Sequence, residues 1–151
     1  MDNYYKSAIG ILKINASQGK LIEVKFVDQS KKYELNLPDV FIKIVLKQIQ
    51  EYAKGQRKLF DIPLAKPSTD FQKNVTEAVL KIPNGKTTNY SEIAANIGKP
   101  KAMRAVGMAH TKNPFQIILP FHRIVKREKS TGKIIFNDSI QEILLKIENV
   151  K

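Results

Sequence analysis

The chain of 151 residues contains no cysteine and no tryptophan, and only two histidines, His110 and His122. Without cysteine there can be no disulfide, no thiolate zinc site, no iron–sulfur cluster and no cysteine nucleophile. With two histidines a metal site would have to lean on carboxylates, and no metal-ligand spacing is present, so neither metal nor cofactor is expected. No apolar run approaches the roughly 18 residues needed to span a membrane. The opening Met1-Asp2-Asn3-Tyr4-Tyr5 has neither the basic n-region nor the apolar h-region of a signal peptide. The expectation is a non-secreted monomer without a membrane partner, cytoplasmic and nucleoid-associated or nuclear. Apolar residues make up 42% and glycine and proline number seven each, the composition of a folded globular protein.

What is present in excess is positive charge. Lys and Arg number 26 against 14 Asp and Glu, a formal net charge of +12. The excess is concentrated. Residues 96–133 hold Lys99, Lys101, Arg104, Lys112, Arg123, Lys126, Arg127, Lys129 and Lys133 against Glu128 alone, whereas residues 67–95 are balanced. A solvated basic surface is one reading. A polyanion site is the other, because each phosphate neutralised by Lys or Arg releases condensed counterions.

The pattern along the chain predicts an α/β protein in two parts, 1–66 and 67–151. Residues 8–14 and 21–27 read as strands joined by a turn-rich segment containing Gly19, a hairpin signature. Pro38-Asp39 opens a helix to about Ala53, with Phe41, Ile44, Val45, Ile49 and Tyr52 at helical spacing, and Gly55 stops it. Residues 56–68, with two prolines and no period, read as a linker. The second part is mostly helical. Phe71, Val75, Ala78, Val79 and Ile82 form one helix face. Asn89 followed by Glu92 has the capping-box spacing for a second helix that ends at Gly98. A third runs from Lys101 to about Lys112 after Pro100. Two short helices around a tight Gly-Lys-Pro connection read as a helix-turn-helix, or as an ordinary helical hairpin. Residues 115–119 (FQIIL) read as an apolar strand, and about 139–148 as a last helix with Ile140, Ile143, Leu144 and Ile147 inward.

Pro120-Phe121-His122-Arg123-Ile124 resembles the O6-alkylguanine-DNA alkyltransferase family, whose members carry Pro-Cys-His-Arg-Val/Ile there. The likeness extends through Phe71-Gln72-Lys73-Asn74-Val75, Ile82-Pro83-Asn84-Gly85-Lys86-Thr87, Tyr90-Ser91-Glu92-Ile93-Ala94, Arg104-Ala105-Val106-Gly107, Asn113-Pro114 and Leu144-Leu145-Lys146-Ile147-Glu148, in order over 69–148. It implies a small N-terminal sheet and helix, then a helical, winged-helix-like domain that binds duplex DNA through the minor groove. On this likeness Arg104 is the finger that occupies the space of an extruded base, and Tyr90 helps rotate the phosphate of the flipped nucleotide. Ala105 and Ala109 let the helix approach the groove. Lys99, Lys101, Lys112, Arg127 and Lys129 are phosphate contacts, Asn113 is the hinge before the active-site segment, and Arg123 anchors the domain internally.

Two departures bear on activity. Phe121 stands where the family has its alkyl-accepting cysteine, so the matching pair His122 and Glu148 has no thiol to activate. The Gly-rich loop that walls the family's base pocket is replaced by Gly132-Lys133-Ile134-Ile135-Phe136-Asn137-Asp138-Ser139, which makes Phe121, Ile134 and Ile135 the candidate base-pocket residues. Phe121 either lies against a flipped base or fills the pocket. The resemblance then implies a non-catalytic alkyltransferase-like protein that binds O6-alkylguanine in DNA and hands it to nucleotide excision repair proteins. The alternative is a general DNA-binding or chromatin protein that kept the fold and lost lesion recognition.

Overall fold

The computed structural model describes residues 2–67 and 69–150. Its elements in chain order are β1 (Tyr4–Ser7), β2 (Gly10–Ser17), β3 (Lys20–Phe26), α1 (Val40–Ala53), α2 (Asp70–Leu80), α3 (Tyr90–Asn96), α4 (Met103–Thr111), β4 (Lys126–Arg127), β5 (Ile134–Ile135) and α5 (Ser139–Ile147), with a single 3-10 turn at Phe121–Arg123. Two compact units result. The first comprises the chain up to Ala65 together with Pro114–Ile118, and the second comprises the remainder.

In the first unit, β1, β2 and β3 form an antiparallel sheet in that order. The β2–β3 turn is tighter than the sequence suggests. Gln18 and Gly19 both take positive φ (51° and 74°), the two-residue geometry that matches strand twist. Leu12 and Ile14 alternate inward from β2 and meet Leu21 and Val24 of β3 in the core, along with Val45, Ile49 and Tyr52 of α1. Asp39 caps α1 by accepting from the Ile42 amide at 2.8 Å. The helix turns differently from expectation: Ile44 is exposed, and Gln48 occupies the buried stripe instead. Gln48 Nε2 donates to the Asp61 carbonyl and Gln48 Oε1 accepts from the Asp61 amide, so a buried amide fastens the irregular segment after the helix.

The expected strand over 115–119 does not form. Phe115 makes one isolated parallel bridge to Val24, and Gln116 ties itself to β3 through its own amide (to Val24 O, 2.9 Å) and its side chain (from the Phe26 amide, 2.8 Å). Ile117 then turns the chain with φ 74°, a conformation that ends any ladder. The run is apolar because it is buried, not because it is extended.

In the second unit α2, α3 and α4 pack on one another through Val75, Val79, Ile93, Ala94, Val106 and Ala109. Thr69 caps α2, and Asn89 caps α3 by accepting from the Glu92 amide at 2.9 Å. Gly98 terminates α3 with φ 76°, the left-handed position where glycine carries no Cβ penalty. The following helix begins two residues later than expected, at Met103, with Ala102 giving no side-chain cap. The pair α3–α4 is a helix-turn-helix, and the antiparallel ribbon β4–β5 beyond it supplies the wing. The Thr88 amide donates to the Arg123 carbonyl, and the Val125 amide to the Thr88 carbonyl, which fixes the 121–125 segment beside the start of α3. The last helix is capped by Asp138. It buries Gln141, Leu144 and Leu145, while Ile143, expected inward, is exposed.

Candidate functional site

Two features of the second unit carry chemistry, an exposed basic face with an open cleft and a buried polar cluster behind it. On α4 the residues Arg104, Ala105, Met108 and Lys112 are exposed and share a face at helical spacing, with Lys101 just before it. The unit's ion pairs join Arg123 and His122 to Glu148 and Lys146 to Glu142, so Lys101, Arg104 and Lys112 enter none among the described residues. Ala109 sits on the opposite face with Val106 and is 3% exposed. Its carbonyl accepts from Gln72 of α2, so it packs the helix pair and does not face a groove.

An open cleft of about 740 Å³ is lined by the start of α3 (Thr87 to Glu92), by Met103, and by Val125, Lys126, Arg127 and Lys129 of the wing. Arg127 is oriented from within, donating to the Gly132 carbonyl at 2.9 Å and to Thr87 Oγ1 at 3.2 Å. The Lys99 ammonium lies over the Phe71 ring at 5.5 Å to its centroid, a cation–π contact on an otherwise exposed side chain. Thr87 closes the 82–87 motif but was given no role of its own, and no local pattern in the chain marks Met103.

Tyr90 leads inward from the cleft. Its hydroxyl is hydrogen-bonded to His110 Nδ1 at 2.7 Å, and the His110 ring lies 5.5 Å from that of Phe121. Burial raises the Tyr90 phenol pKa, with Asp138 adding to the effect and a hydrogen bond with Asn137 opposing it. Burial likewise pushes His110 below its ordinary value, so the imidazole is held neutral. Phe121 is 1% exposed. It does not line the cleft, and neither do Ile134 and Ile135, which stand on β5 half-buried and exposed respectively. The three expected base-pocket residues therefore do not line this cleft. His110 is the position sequence reasoning missed. Its signal, a histidine six residues after Arg104 on the inner side of the same helix, is too common to stand out.

Behind Phe121 lies the polar cluster. Glu148, at the C-terminal end of α5, receives His122 Nε2 at 2.6 Å, and Arg123 through Nε at 2.8 Å and Nη2 at 3.2 Å. Its Oε1 also accepts from the Gly85 amide. Arg123 Nη1 donates to the Ile82 carbonyl at 2.6 Å. A two-pronged arginine–carboxylate pair of this kind fixes geometry as well as energy. Arg123 is thus an internal anchor, 6% exposed. Burial pushes His122 below its usual range, against the opposing pull of Glu148. The carboxylate accepts from Nε2, so the neutral ring presents Nδ1 as a lone-pair acceptor, and Nδ1 makes no hydrogen bond with the described residues. Gln141 spans the cluster by donating to the His122 and Ile124 carbonyls. Asn113, also buried, follows α4, its amide donating to the His110 carbonyl. A neutral imidazole oriented by a carboxylate is an arrangement that can take a proton from a nucleophile. The neighbouring side chain here is a phenyl ring with no lone pair, and the chain has no thiol elsewhere.

Among the described residues no cluster of three His, Asp or Glu could hold a metal ion, and no helix is long and apolar enough to cross a membrane.

Residues 70–150 match the DNA binding domain of 6-O-methylguanine DNA methyltransferase, and residues 2–66 match its ribonuclease-like domain. The chain is 41% identical over 151 residues to a methylated-DNA–protein-cysteine methyltransferase of Methanosarcina acetivorans, covering 95% of each. The crystal structure of the Mycobacterium tuberculosis O6-methylguanine methyltransferase superposes with a TM-score of 0.79 at 34% identity, covering 98% of this chain and 93% of that one. A second crystal structure from that organism, OGT in complex with DNA, gives 0.78, again at 34% identity, over 97% and 91%. With both domains matched over nearly the whole chain, this chain belongs to the O6-alkylguanine-DNA alkyltransferase family, as a member whose sequence contains no cysteine.

Proposed function

We propose that the protein binds duplex DNA without alkyl transfer, as a non-catalytic alkyltransferase-like protein. The observation that carries this is the combination of an unneutralised basic face on α4 with a phenyl ring at the nucleophile position. Lys101, Arg104 and Lys112 offer positive charge that enters no ion pair among the described residues, and Ala105 leaves room for a close approach of the backbone. The minor groove is the site of docking, with Arg104 entering the stack where a nucleotide swings out. Lys99, Arg127, Lys129 and Tyr90 surround the path of that nucleotide and its phosphates. The M. tuberculosis relative crystallised with DNA supports the same class of partner. His122, Arg123 and Glu148 serve as a buried clamp that holds α5 onto the domain.

On this reading O6-alkylguanine is preferred because an alkylated pair is already weakened, which lowers the cost of extrusion. The base is received at the Tyr90 end of the cleft, and bound lesions pass to excision repair proteins. A second reading, DNA binding without lesion preference, is favoured by the burial of Phe121, which is 1% exposed. A titration with and without one O6-methylguanine in the same duplex, at two salt concentrations, separates them. Tighter binding to the modified duplex supports lesion recognition, and equal affinity leaves only the second reading.

A further inference from the structure

A second basic concavity lies wholly within the first unit. A groove of about 340 Å³ is lined by Lys6, Ser7 and Ala8 from β1 and its turn, and by Lys43, Leu46, Lys47 and Gln50 of α1. All three lysines are exposed, and no carboxylate contributes to the lining. Four of the unit's seven acidic residues are engaged elsewhere. Glu23 pairs with Lys13 and Lys25, Glu51 with Arg57, Asp39 caps α1, and Asp28 binds Ser30. Lys43 and Lys47 stand four residues apart on one helix face, a like-charge spacing that weakens a helix unless an anion relieves it. Lys6 adds a third ammonium from the neighbouring strand, and Gln50 provides an exposed amide donor. Concave, cationic and free of carboxylates, the groove fits a phosphate-bearing chain.

We propose that this groove is a second nucleic-acid contact, in which Lys6, Lys43 and Lys47 bind backbone phosphates independently of sequence. Nucleic acid is favoured over an acidic peptide because three of the seven lining residues are lysines and only Ala8 and Leu46 carry wholly apolar side chains. Point charges suit phosphates, which carry one charge per nucleotide at regular intervals. The groove acts apart from the α4 face and stands whether or not that face binds DNA.

The test is the salt dependence of binding to a 20-base-pair unmodified duplex, read by fluorescence anisotropy on the full chain. Each phosphate contact contributes about 0.9 to the slope of log K against log salt, so Lys6→Gln/Lys43→Gln/Lys47→Gln should flatten the slope by about 2 to 3. Lys20→Gln/Lys54→Gln/Lys58→Gln removes equal charge from exposed positions of the same unit outside the groove, and should flatten it by less than half as much. The groove variant should have the same effect in a Lys101→Gln/Arg104→Ala/Lys112→Gln background, which keeps failure of the α4 interface distinguishable from failure of the groove. Far-ultraviolet circular dichroism verifies that each variant is folded. Equal slopes for groove and control variants would overturn the proposal. Competition by poly-glutamate as strong as by DNA at equal anionic charge would overturn it in favour of an acidic protein partner.

Discussion

Replacing Glu148 with alanine probes the buried clamp most severely. The wild-type carboxylate is fully buried and accepts from Arg123, His122 and Gly85. Its removal leaves a guanidinium, 7% exposed, with only the Ile82 carbonyl among its described partners. Breaking a buried pair by deleting one partner costs about 3–5 kcal/mol, since the surviving charge is neither solvated nor compensated. For a domain of this size that lowers Tm by roughly 10 °C or more. Arg123→Met/Glu148→Leu removes both charges and should recover at least half of the loss. Lys146→Ala, which breaks a solvent-exposed pair on the same helix, should leave Tm nearly unchanged. Thermal and guanidinium unfolding followed by circular dichroism give the three values. DNA affinity measured well below the transition should be unaffected in every case, because Glu148 faces no solvent. A cost below about 1 kcal/mol for Glu148→Ala, far from the expected range, would refute the clamp. So would a double variant no more stable than the single one.

Other consequences are open to measurement. Phe121→Ala empties a fully buried ring position and should cost about 3–5 kcal/mol in guanidinium unfolding, whereas a ring lying in an open pocket would cost far less. His110 and His122 both titrate below the ordinary 6.5 when folded, so the unfolded chain binds more protons as pH falls through that value. Stability contributed by the neutral rings is therefore full above pH 6.5 and declines below it. His110→Gln/His122→Gln, though less stable, should lose less Tm between pH 7 and pH 5 than wild type, and an equal or larger loss would contradict the assignment. Arg104→Ala should reduce any preference for the O6-methylguanine duplex about tenfold, close to 1.4 kcal/mol, in parallel anisotropy titrations. A uniform loss on both duplexes would reassign Arg104 to phosphate contact alone.

The parts of the fold legible in the sequence are those where a local chemical rule decides. Asn89 and Glu92 announce a helix start because a side-chain oxygen must satisfy free amides there, and Gly98 announces its end because it takes the positive φ that glycine adopts without a Cβ penalty. The 115–119 segment defeats such rules. A short buried apolar run has the same composition whether extended or folded back at Ile117, and only its tertiary partners, Val24 and Phe26, choose. Gln48 and Gln141 were invisible for a related reason. A buried glutamine is tolerated only because distant backbone groups satisfy it, and those partners are not local. At the site, the family was readable from the motif around Phe121, and the missing thiol from the composition. Its stack against His110, and the opening of the cleft toward Thr87 and Met103 instead of Ile134 and Ile135, depended on how α4 and the wing fold together.

Binding without transfer is tested most directly with a duplex carrying one O6-methylguanine labelled in its methyl group. After incubation, the label is counted on the protein before and after denaturation. Label should be held with the native complex and absent from the denatured protein, with the methyl group recovered on intact DNA. Label that stays on the denatured chain, where no thiol exists to carry it, would contradict the account outright.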